Sequence, residues 1–364
     1  FVWQRPQQLM SRFARDRRVY FVEEPIHPEG AGDLPDGVVI DRRESDRVVV
    51  CRPSFRDPGP GFGHLFDATY TRLAADLVES EGLTDYTTWF YTPMLLPALD
   101  RVSPSLVVYD AMDELSLFKG APPELLPRES DLLKRADVVF TGGVSLGKAK
   151  AEKHANVHAF PSGVDAAHYA QALDASTKVP DDLVAVPGPR IGFFGVIDER
   201  TDLELLRRAA ELRPQWSYVM LGPVVKIDPA ELPQLPNLHF LGQKQYRDLP
   251  GYVKGFDVCM MPFALNDATK YISPTKTLEY MAAHKPIVST PVADVVGSYS
   301  EAVAIARTPE EFVAAIERAL AETPEQRERR VAREKQILEK NSWDSIAERM
   351  DEKMDEARAR RRRA

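Results

Sequence analysis

The sequence predicts an α/β protein built from two Rossmann-like, doubly wound domains that face each other across a cleft. Short apolar runs alternate with amphipathic helical patterns, which is typical of βαβ units and parallel sheets. The alternation stops over the polar, Asp- and Pro-rich residues 171–189 and then restarts. The 364 residues also suit two domains of ordinary size. Because ligands of open α/β sheets bind beyond the carboxyl ends of the strands, we expect the functional residues in loops at the cleft.

The first domain is expected to span residues 1–170. It opens with a helix, because Leu9, Met10 and Phe13 recur at helical spacing. Since a doubly wound sheet normally begins with a central strand, we expect one further strand upstream of Phe1. The pattern then predicts strands over 19–22, 48–51, 88–91, 106–109, 138–141 and 157–160, and helices over 66–77, 125–135 and 146–154.

The second domain is expected to span residues 190–341, after a linker over 171–189. A last helix begins near Ser342, and residues 342–364 end in a basic tail. The pattern predicts strands over 191–197, 218–221, 238–241, 258–261 and 287–290, and helices over 202–212, 275–284, 309–321 and 324–339.

The composition excludes several classes of protein. Lys+Arg 47 against Asp+Glu 55 gives a net charge of −8, which argues against general nucleic-acid binding. No apolar run approaches the ~20 residues that span a bilayer, and the first residues do not resemble a secretory signal. Cys51 and Cys259 are too few for a disulfide scaffold and fit a reducing compartment. We therefore expect a cytoplasmic protein.

The most informative segment surrounds the helix predicted over 275–284. A polar loop leads from Met261 to Ser273, which suits an N-cap, and Pro274 suits the first helical position. Lys276 would lie in the first turn, where the helix dipole disfavours a cation by ~0.3–1 kcal/mol. An anion bound at the same place would explain the lysine, because helix N-termini bind phosphate through free N–H groups.

Glu279 follows one helical turn later, among apolar neighbours. A carboxylate in such surroundings needs partners, and sugar hydroxyls would serve, as they do for acidic residues in dinucleotide sites. An i,i+3 salt bridge between Lys276 and Glu279, worth ~0.2–0.5 kcal/mol, explains the same spacing. The residues alone leave both interpretations open.

A resemblance to a known family enters at this segment. Residues 274–291, PTKTLEYMAAHKPIVSTP, resemble the donor-binding motif P-x-K-x-x-E-Y-M-A-x-G-K-P-V-V of GT-B glycosyltransferases, in particular the retaining family 4. WQRPQQL at 3–9 resembles the first-helix motif of a bacterial subgroup that makes envelope and extracellular polysaccharides. Further landmarks of the family are matched by FPSGVD at 160–165 with Tyr169, IGFFG at 191–195 and NLHFLG at 237–242.

The resemblance implies a GT-B fold whose last helix crosses back to the first domain. It implies a hexosyltransferase that moves a sugar from a nucleotide-diphosphate donor, most commonly a UDP-sugar, to a saccharide or lipid-linked acceptor with retention. No protein nucleophile is required, because the leaving diphosphate can take the proton of the acceptor. No D-x-D motif is present, so we expect no essential metal and no cofactor.

The resemblance also implies roles for single residues of the second domain. Glu279 would hold the ribose, and Lys276 would face the diphosphate as a catalytic charge. Tyr271 stands where the family often has a glutamate that contacts the donor sugar, and Arg200 would replace the positive charges absent at Val196 and Thr201. The remaining donor contacts are expected from Ser273, Pro274 and Thr275 at the diphosphate and from Gln243 and Lys244 near the base.

The first domain offers three candidates. Asp113 follows the strand over 106–109, where a ligand-facing acid belongs, and would contact the sugar or the acceptor hydroxyl. Its alternative role is to cap a helix that begins near Glu114. Arg5 and Gln7 would lie above the diphosphate, unless they form only a solvated helix start.

Other functions stay open at this point. GGVSLGKA at 142–149 nearly matches a phosphate-binding P-loop, but Ala149 replaces the magnesium-binding Ser or Thr. A sugar-nucleotide epimerase shares the two-domain plan, and a non-catalytic protein could retain the cleft. The terminal arginines form either a solvated tail or a contact with an anionic membrane face, at about 1 kcal/mol each, which would suit a lipid-linked acceptor.

Overall fold

The computed structural model describes residues 4–23, 37–43, 47–54 and 67–363. It confirms the predicted α/β architecture, in which parallel sheets are covered by helices. The predictions that involve Phe1, Trp3 and Phe66 lie outside the described residues.

The first domain contains two sheets. Four parallel strands have the order β4-β5-β6-β7, and three strands have the order β1-β3-β2, in which β2 runs antiparallel to β3. Sequence reasoning missed β2. The strands are β1 Val19–Val22, β2 Gly37–Arg43, β3 Val48–Ser54, β4 Thr87–Phe90, β5 Leu106–Ala111, β6 Val138–Thr141 and β7 Val157–Ala159, and the helices are α1 Arg5–Phe13, α2 Asp67–Ser80, α3 Leu125–Arg135 and α4 Val144–Ala151.

A cavity of about 1500 Å³ separates the two sheets of the first domain. It is lined by residues 19–23, which include β1, by residues 85–92, which include β4, and by apolar side chains of α1 and α2. Among the described strands, β1 pairs only with β3 and β4 only with β5. The further strand expected upstream of Phe1 stays a prediction.

The second domain is one parallel sheet with the order β10-β9-β8-β11-β12-β13. Its order switches direction between β8 and β11, which places a ligand crevice beyond the carboxyl ends of those two strands. The strands are β8 Arg190–Phe194, β9 Ser217–Leu221, β10 Leu238–Phe240, β11 Val258–Met261, β12 Ile287–Ser289 and β13 Ala304–Ile305. The later helices are α5 Ala166–Ala170, α6 Asp181–Val184, α7 Leu203–Leu212, α8 Leu249–Gly255, α9 Lys276–Ala282, α10 Ala293–Tyr299, α11 Pro309–Leu320, α12 Pro324–Lys340 and α13 Trp343–Arg361.

The segment expected as a plain linker, residues 171–189, is packed against the second domain. It contains α6, whose Leu183 is fully buried in the same apolar cluster as Val253 of α8. Lys254 Nζ donates hydrogen bonds to the carbonyls of Asp174 and Thr177, at 2.6 and 2.8 Å. The apolar residues of this segment are too widely spaced to show a period, which is why the sequence did not reveal its docking.

The last helix crosses back to the first domain, as predicted. Trp343, Ile346, Met350 and Met354 of α13 are buried in one cluster with Leu9 of α1 and with side chains of β5 and β6. The core of the first domain is therefore completed by the last helix of the chain.

The terminal arginines are not a free tail, contrary to expectation. Arg358 donates to Thr87 Oγ1 at 2.7 Å, Arg360 to Asn156 Oδ1 at 3.2 Å, and Arg361 to Asp137 Oδ2 at 2.6 Å. These contacts fasten the end of α13 to the first domain, while Arg362 and Arg363 are exposed. Within the described ranges, no helix is both long and apolar enough to cross a membrane.

Candidate functional site

The polar loop after β11 leads into α9 at the crevice of the second sheet. The helix begins at Lys276, two residues later than a cap at Ser273 would require, and Thr275 precedes it without a side-chain cap. The prediction that Ser273 is the N-cap is therefore wrong. In the described part of the chain, the N–H groups of Thr275 and Lys276 donate to no other residue, so both can bind a ligand.

Lys276 lies at the carboxyl end of β8. Its Nζ is 5.8 and 5.9 Å from the ring centres of Phe193 and Phe194, which is cation–π range. A Cβ on Gly195, whose φ is +149°, would come within 2.2 Å of Lys276 Cε, so only glycine fits beneath the lysine. Burial lowers the pKa of the Lys276 ammonium, and Glu279 opposes that shift.

Glu279 is a buried acceptor with unused capacity. Its Oε2 is inaccessible to water and has no hydrogen-bond partner among the described residues. Burial raises the pKa of this carboxyl, whereas Lys276 and the hydroxyls of Tyr169 and Thr275 lower it. The lysine and the carboxylate form no ion pair within 4.0 Å there, so the structure does not contain the alternative i,i+3 salt bridge. Glu279 is suited to accept hydrogen bonds from ligand hydroxyls.

Arg200 lies in the loop after β8 and faces the first domain. Its Nε and Nη2 bind the buried carboxylate of Asp198 at 2.7–3.1 Å, and its guanidinium lies 5.7 Å from the ring centre of Phe118. Nη1 donates to none of the described residues. The Nη1 group of Arg200 can therefore donate hydrogen bonds to a ligand, although Asp198 neutralises part of the arginine's charge.

Asp113 is the unpaired member of the motif Y-D-A-M-D-E at 109–114. Tyr109 donates to Glu129 at 2.6 Å, Asp110 binds Arg5, and Glu114 binds Lys150 at 2.7 Å. In the described part of the chain Asp113 forms no hydrogen bond or ion pair, and it does not cap the 3₁₀ helix Leu115–Leu117, whose N-cap is Glu114.

The electrostatic neighbours of Asp113 link the two domains. Burial raises the pKa of the Asp113 carboxyl, and Arg200 opposes the shift more than Arg5 does. The carboxylate thus lies within electrostatic range of the arginine across the cleft. The site combines the ammonium of Lys276, the guanidinium of Arg200 and the carboxylates of Glu279 and Asp113. It can bind a charged, hydroxyl-rich ligand.

Comparison with solved structures identifies the fold. Sucrose-phosphate synthase from Thermosynechococcus elongatus superposes with a TM-score of 0.69 at 16% identity, covering 95% of this chain and 90% of the other. A trehalose-6-phosphate structure from E. coli, bound with UDP-2-fluoro glucose, superposes with a TM-score of 0.65 at 15% identity, covering 93% and 99%. These likenesses establish the GT-B fold.

Sequence comparison identifies the activity. Residues 188–322 match the family described as Glycosyl transferases group 1. The Bacillus subtilis (strain 168) protein named as a teichuronic acid biosynthesis glycosyltransferase, TuaH, is 24% identical over 295 residues, 68% of this chain and 73% of the relative. The chain is a glycosyltransferase with the GT-B fold.

Two residues of this glycosyltransferase that were predicted to contact the donor, Arg5 and Gln7, form hydrogen bonds within the first domain. The Arg5 guanidinium is buried, binds Asp110 at 2.8–3.2 Å and donates to the Phe160 carbonyl at 2.6 Å. Gln7 forms a capping box with Gln4 at the start of α1. Their polar groups stabilise α1 and the domain core, and their placement above the diphosphate stays a prediction.

Three further candidates of the second domain form no hydrogen bond or ion pair with Lys276 or Glu279 within the described residues. Lys244 Nζ binds Asp182 of the docked segment at 2.7 Å, so its charge is already paired within the chain. Gln243 is exposed. Tyr271 packs against the apolar cluster of the first domain, and a contact of its side chain with the donor sugar stays a prediction.

Sequence reasoning missed two polar residues of the glycosyltransferase. Tyr169 interacts with Glu279, although it was quoted only as a family landmark. Asp294 of α10 accepts hydrogen bonds from two backbone N–H groups of the first domain. No group of three or more His, Cys, Asp or Glu side chains suited to a metal occurs within the described ranges.

Proposed function

We propose that this glycosyltransferase transfers a hexose from a UDP-sugar to a saccharide or lipid-linked acceptor, with retention, in the synthesis of an envelope polysaccharide. The observation that supports a nucleotide-sugar donor best is the buried Oε2 of Glu279, which lacks a partner among the described residues, beside Lys276. A ribose supplies hydroxyl donors and a diphosphate supplies the negative charge. The UDP-2-fluoro glucose bound in the E. coli relative favours UDP, and the name of TuaH favours the envelope role.

The proposed reaction exchanges one bond at the anomeric carbon. The bond to the diphosphate oxygen breaks, the bond to the acceptor oxygen forms on the same face, and the acceptor proton passes to the departing diphosphate. Lys276 and the Nη1 group of Arg200 stabilise the charge that develops on the diphosphate, and the free N–H groups of Thr275 and Lys276 add to this. Asp113 orients the sugar or the acceptor hydroxyl from the opposite domain.

A thermal-shift screen with UDP and a panel of nucleotide sugars tests the donor site. At 100 times its Kd, a ligand stabilises the folded protein by ~2.7 kcal/mol, so the bound donor raises the melting temperature. Glu279→Ala and Lys276→Ala should abolish that rise, measured for each variant against its own ligand-free melting temperature. Glu204→Ala, at an exposed position of α7 in the same domain, is the matched control. A full shift in either site variant would overturn the assignment.

Product analysis separates transfer from the two alternative functions. The wild type is incubated with labelled UDP-sugar, with and without a saccharide or lipid extract and with and without EDTA. We expect label in the acceptor fraction only when the extract is present, and no loss of transfer with EDTA. Epimerised free sugar nucleotide would favour an epimerase, and UDP binding without any turnover would favour a non-catalytic protein.

We propose that the enzyme works in the cytoplasm, at the inner face of the membrane where a lipid-linked acceptor would be presented. Arg362 and Arg363 are the exposed terminal cations, since the three before them contact the first domain. Sedimentation with anionic liposomes, comparing the wild type with the double variant Arg362→Ala and Arg363→Ala, measures this contact. Equal pelleting of both proteins would dismiss it.

A further inference from the structure

A carboxylate of the second domain lies at the start of a helix in the first. Asp294 of α10 is 3% exposed. Its Oδ2 accepts a hydrogen bond from the N–H of Val144 at 2.8 Å, and its Oδ1 accepts one from the N–H of Ser145 at 2.9 Å. Both donors belong to the first turn of α4, so these hydrogen bonds join the two domains.

The local sequence explains why the carboxylate fits there. The first N–H groups of a helix have no partner within the helix, and the N-cap of α4 is Gly143, which has no side chain to supply one. A Cβ on Gly143 would lie 2.1 Å from Asp294 Oδ2 and 3.0 Å from Ser273 Cβ. The glycine therefore lets a side chain of the other domain reach the helix start.

The same contact accounts for the near match to a P-loop at 142–149. In a P-loop the first helical N–H groups bind phosphate. Here two of them bind the carboxylate of Asp294, a residue of the same chain. The structure thus contradicts the NTPase alternative.

The contact is formed by residues other than those at which the chain crosses between the domains. The chain passes between the domains near Val164 and again near Asn341. These two segments lie side by side, because the N–H of Val164 donates to the carbonyl of Asn341 at 3.1 Å and Val164 forms a β-bridge with Ser342. The domains also meet where Arg200 lies over the ring of Phe118 and where Tyr271 packs against the first domain. Asp294 supplies a separate polar connection, and its neighbour Ser273 belongs to the loop that leads into Lys276.

We infer that Asp294 is a positioning residue that latches the two domains together through the start of α4. The latch holds Asp113 of the first domain opposite Arg200 and Lys276 of the second. Its catalytic consequence rests on the proposed function, whereas its mechanical consequence does not. Loss of the latch should let the cleft open while the donor groups of the second domain remain intact.

Distance measurement tests the latch without reference to activity. Nitroxide labels are placed through Lys153→Cys and Arg318→Cys, two exposed positions in different domains, in backgrounds with and without Asp294→Ala. We expect the distance distribution to broaden and move to longer values in Asp294→Ala. Asp202→Ala is the matched control, because Asp202 caps α7 within one domain through the N–H of Leu205 at 2.8 Å. A distribution in Asp294→Ala equal to that of this control would overturn the latch.

Kinetics test the positioning role. In Asp294→Ala we expect kcat to fall at least tenfold while the Kd for UDP changes less than twofold, because Lys276 and Glu279 are untouched. An unchanged kcat would refute the positioning role. If the label distances respond but the wild type transfers no sugar to any acceptor, the proposed function fails and the latch stands.

A second variant keeps the test valid if Asp294→Ala does not fold. Gly143→Ala leaves the charge in place but puts a methyl group where Asp294 must approach, and the extended φ of −160° at Gly143 accepts alanine. We expect the same longer label distances and the same loss of kcat. Gly297→Ala, in open space on α10, is its control. If the distance between the nitroxide labels in Gly143→Ala equals that in the wild type, the proposal is also overturned.

Discussion

At the scale of single residues, the motif Y-D-A-M-D-E shows how burial separates structural from functional acids. Asp110 neutralises the buried Arg5, and Glu114 is held by Lys150, so each has a partner within its own domain. Asp113, in the same loop, is left without one in the described part of the chain. A partly buried carboxylate without a protein partner is the acid most suited to a ligand.

Replacement of Asp113 by asparagine should reduce turnover without affecting the donor. We expect kcat to fall by about 10²-fold, the effect typical of a misplaced or missing polar contact at the reacting group. The Kd for UDP should stay within twofold, because the donor groups lie in the other domain. Initial rates and calorimetry measure the two quantities. A kcat equal to that of the wild type would assign Asp113 a structural role only.

His284 occupies the position where the family motif has glycine, and its backbone explains that preference. Its φ is +51°, in the left-handed region that costs a non-glycine residue ~1–2 kcal/mol. We expect His284→Gly to raise the melting temperature slightly, because the relief of strain exceeds the entropy cost of glycine. His284→Ala keeps the strain and should give no rise. An equal gain in both variants would attribute the effect to loss of the imidazole.

The spacing of Lys276 and Glu279 left a ligand site and a salt bridge open, and only the resemblance to a family assigned both residues to the donor site. The sequence could not predict that the side chains of Arg5 and Lys244 form ion pairs with carboxylates of the same chain. Their carboxylate partners Asp110 and Asp182 lie 105 and 62 residues away. Such pairings are set by tertiary packing, which local spacing does not encode.

At the scale of helices and strands, the predicted bounds matched the structure best where the hydrophobic pattern of the sequence was clear. Helix α3 and strands β6 and β11 have the predicted bounds. Helices α8 and α10 were missed, since each has only seven residues and includes glycine. The start of α9 was placed too early because Ser273 and Pro274 suit a helix start, yet the chain turns into the helix only at Thr275.

Helix α12 carries a pH-sensitive residue against the second domain. Glu334 is fully buried, Arg330 binds its Oε1 at 2.7 Å, and its Oε2 has no partner among the described residues. Burial raises the pKa of Glu334 to about 7, against the opposing effect of Arg330. Folding therefore favours the protonated carboxyl, and stability present below the unfolded pKa is lost as the pH rises through about 7.

Substitution of Glu334 by glutamine should remove that pH dependence. Relative to the wild type, Glu334→Gln should gain about 3 kcal/mol of unfolding free energy between pH 4.5 and pH 8, at ~1.4 kcal/mol per unit of pKa shift. Urea unfolding at several pH values measures the difference. Glu328→Gln, exposed on the same helix, should give a curve parallel to the wild type. A parallel curve for Glu334→Gln would contradict the assigned pKa.

At the scale of the whole molecule, the fold joins sequence-distant segments into one core. The two-domain plan follows from the alternation of strands and helices, and the resemblance supplied the crossing of α13. The residues alone could not predict how much of the first domain's core is supplied by α13. Trp343, Ile346 and Met350 complete the core of the first domain beneath β5 and β6, and the packing partners of α13 come from the opposite end of the chain.

A charge buried in α13 should therefore unfold a domain that lies more than 200 residues earlier in sequence. Met350 is fully buried among side chains of α1, β5 and β6, and an aspartate there would be an unpaired buried charge, which costs several kcal/mol. In Met350→Asp, hydrogen exchange should show loss of amide protection in β5 and β6, while β8 and β11 of the second domain keep theirs. Met350→Leu, which nearly conserves volume, should keep protection in both domains. If β8 and β11 lose protection together with β5 and β6, the two domains form a single cooperative unit and the contacts between them, including the latch at Asp294, contribute more to stability than the separate cores imply.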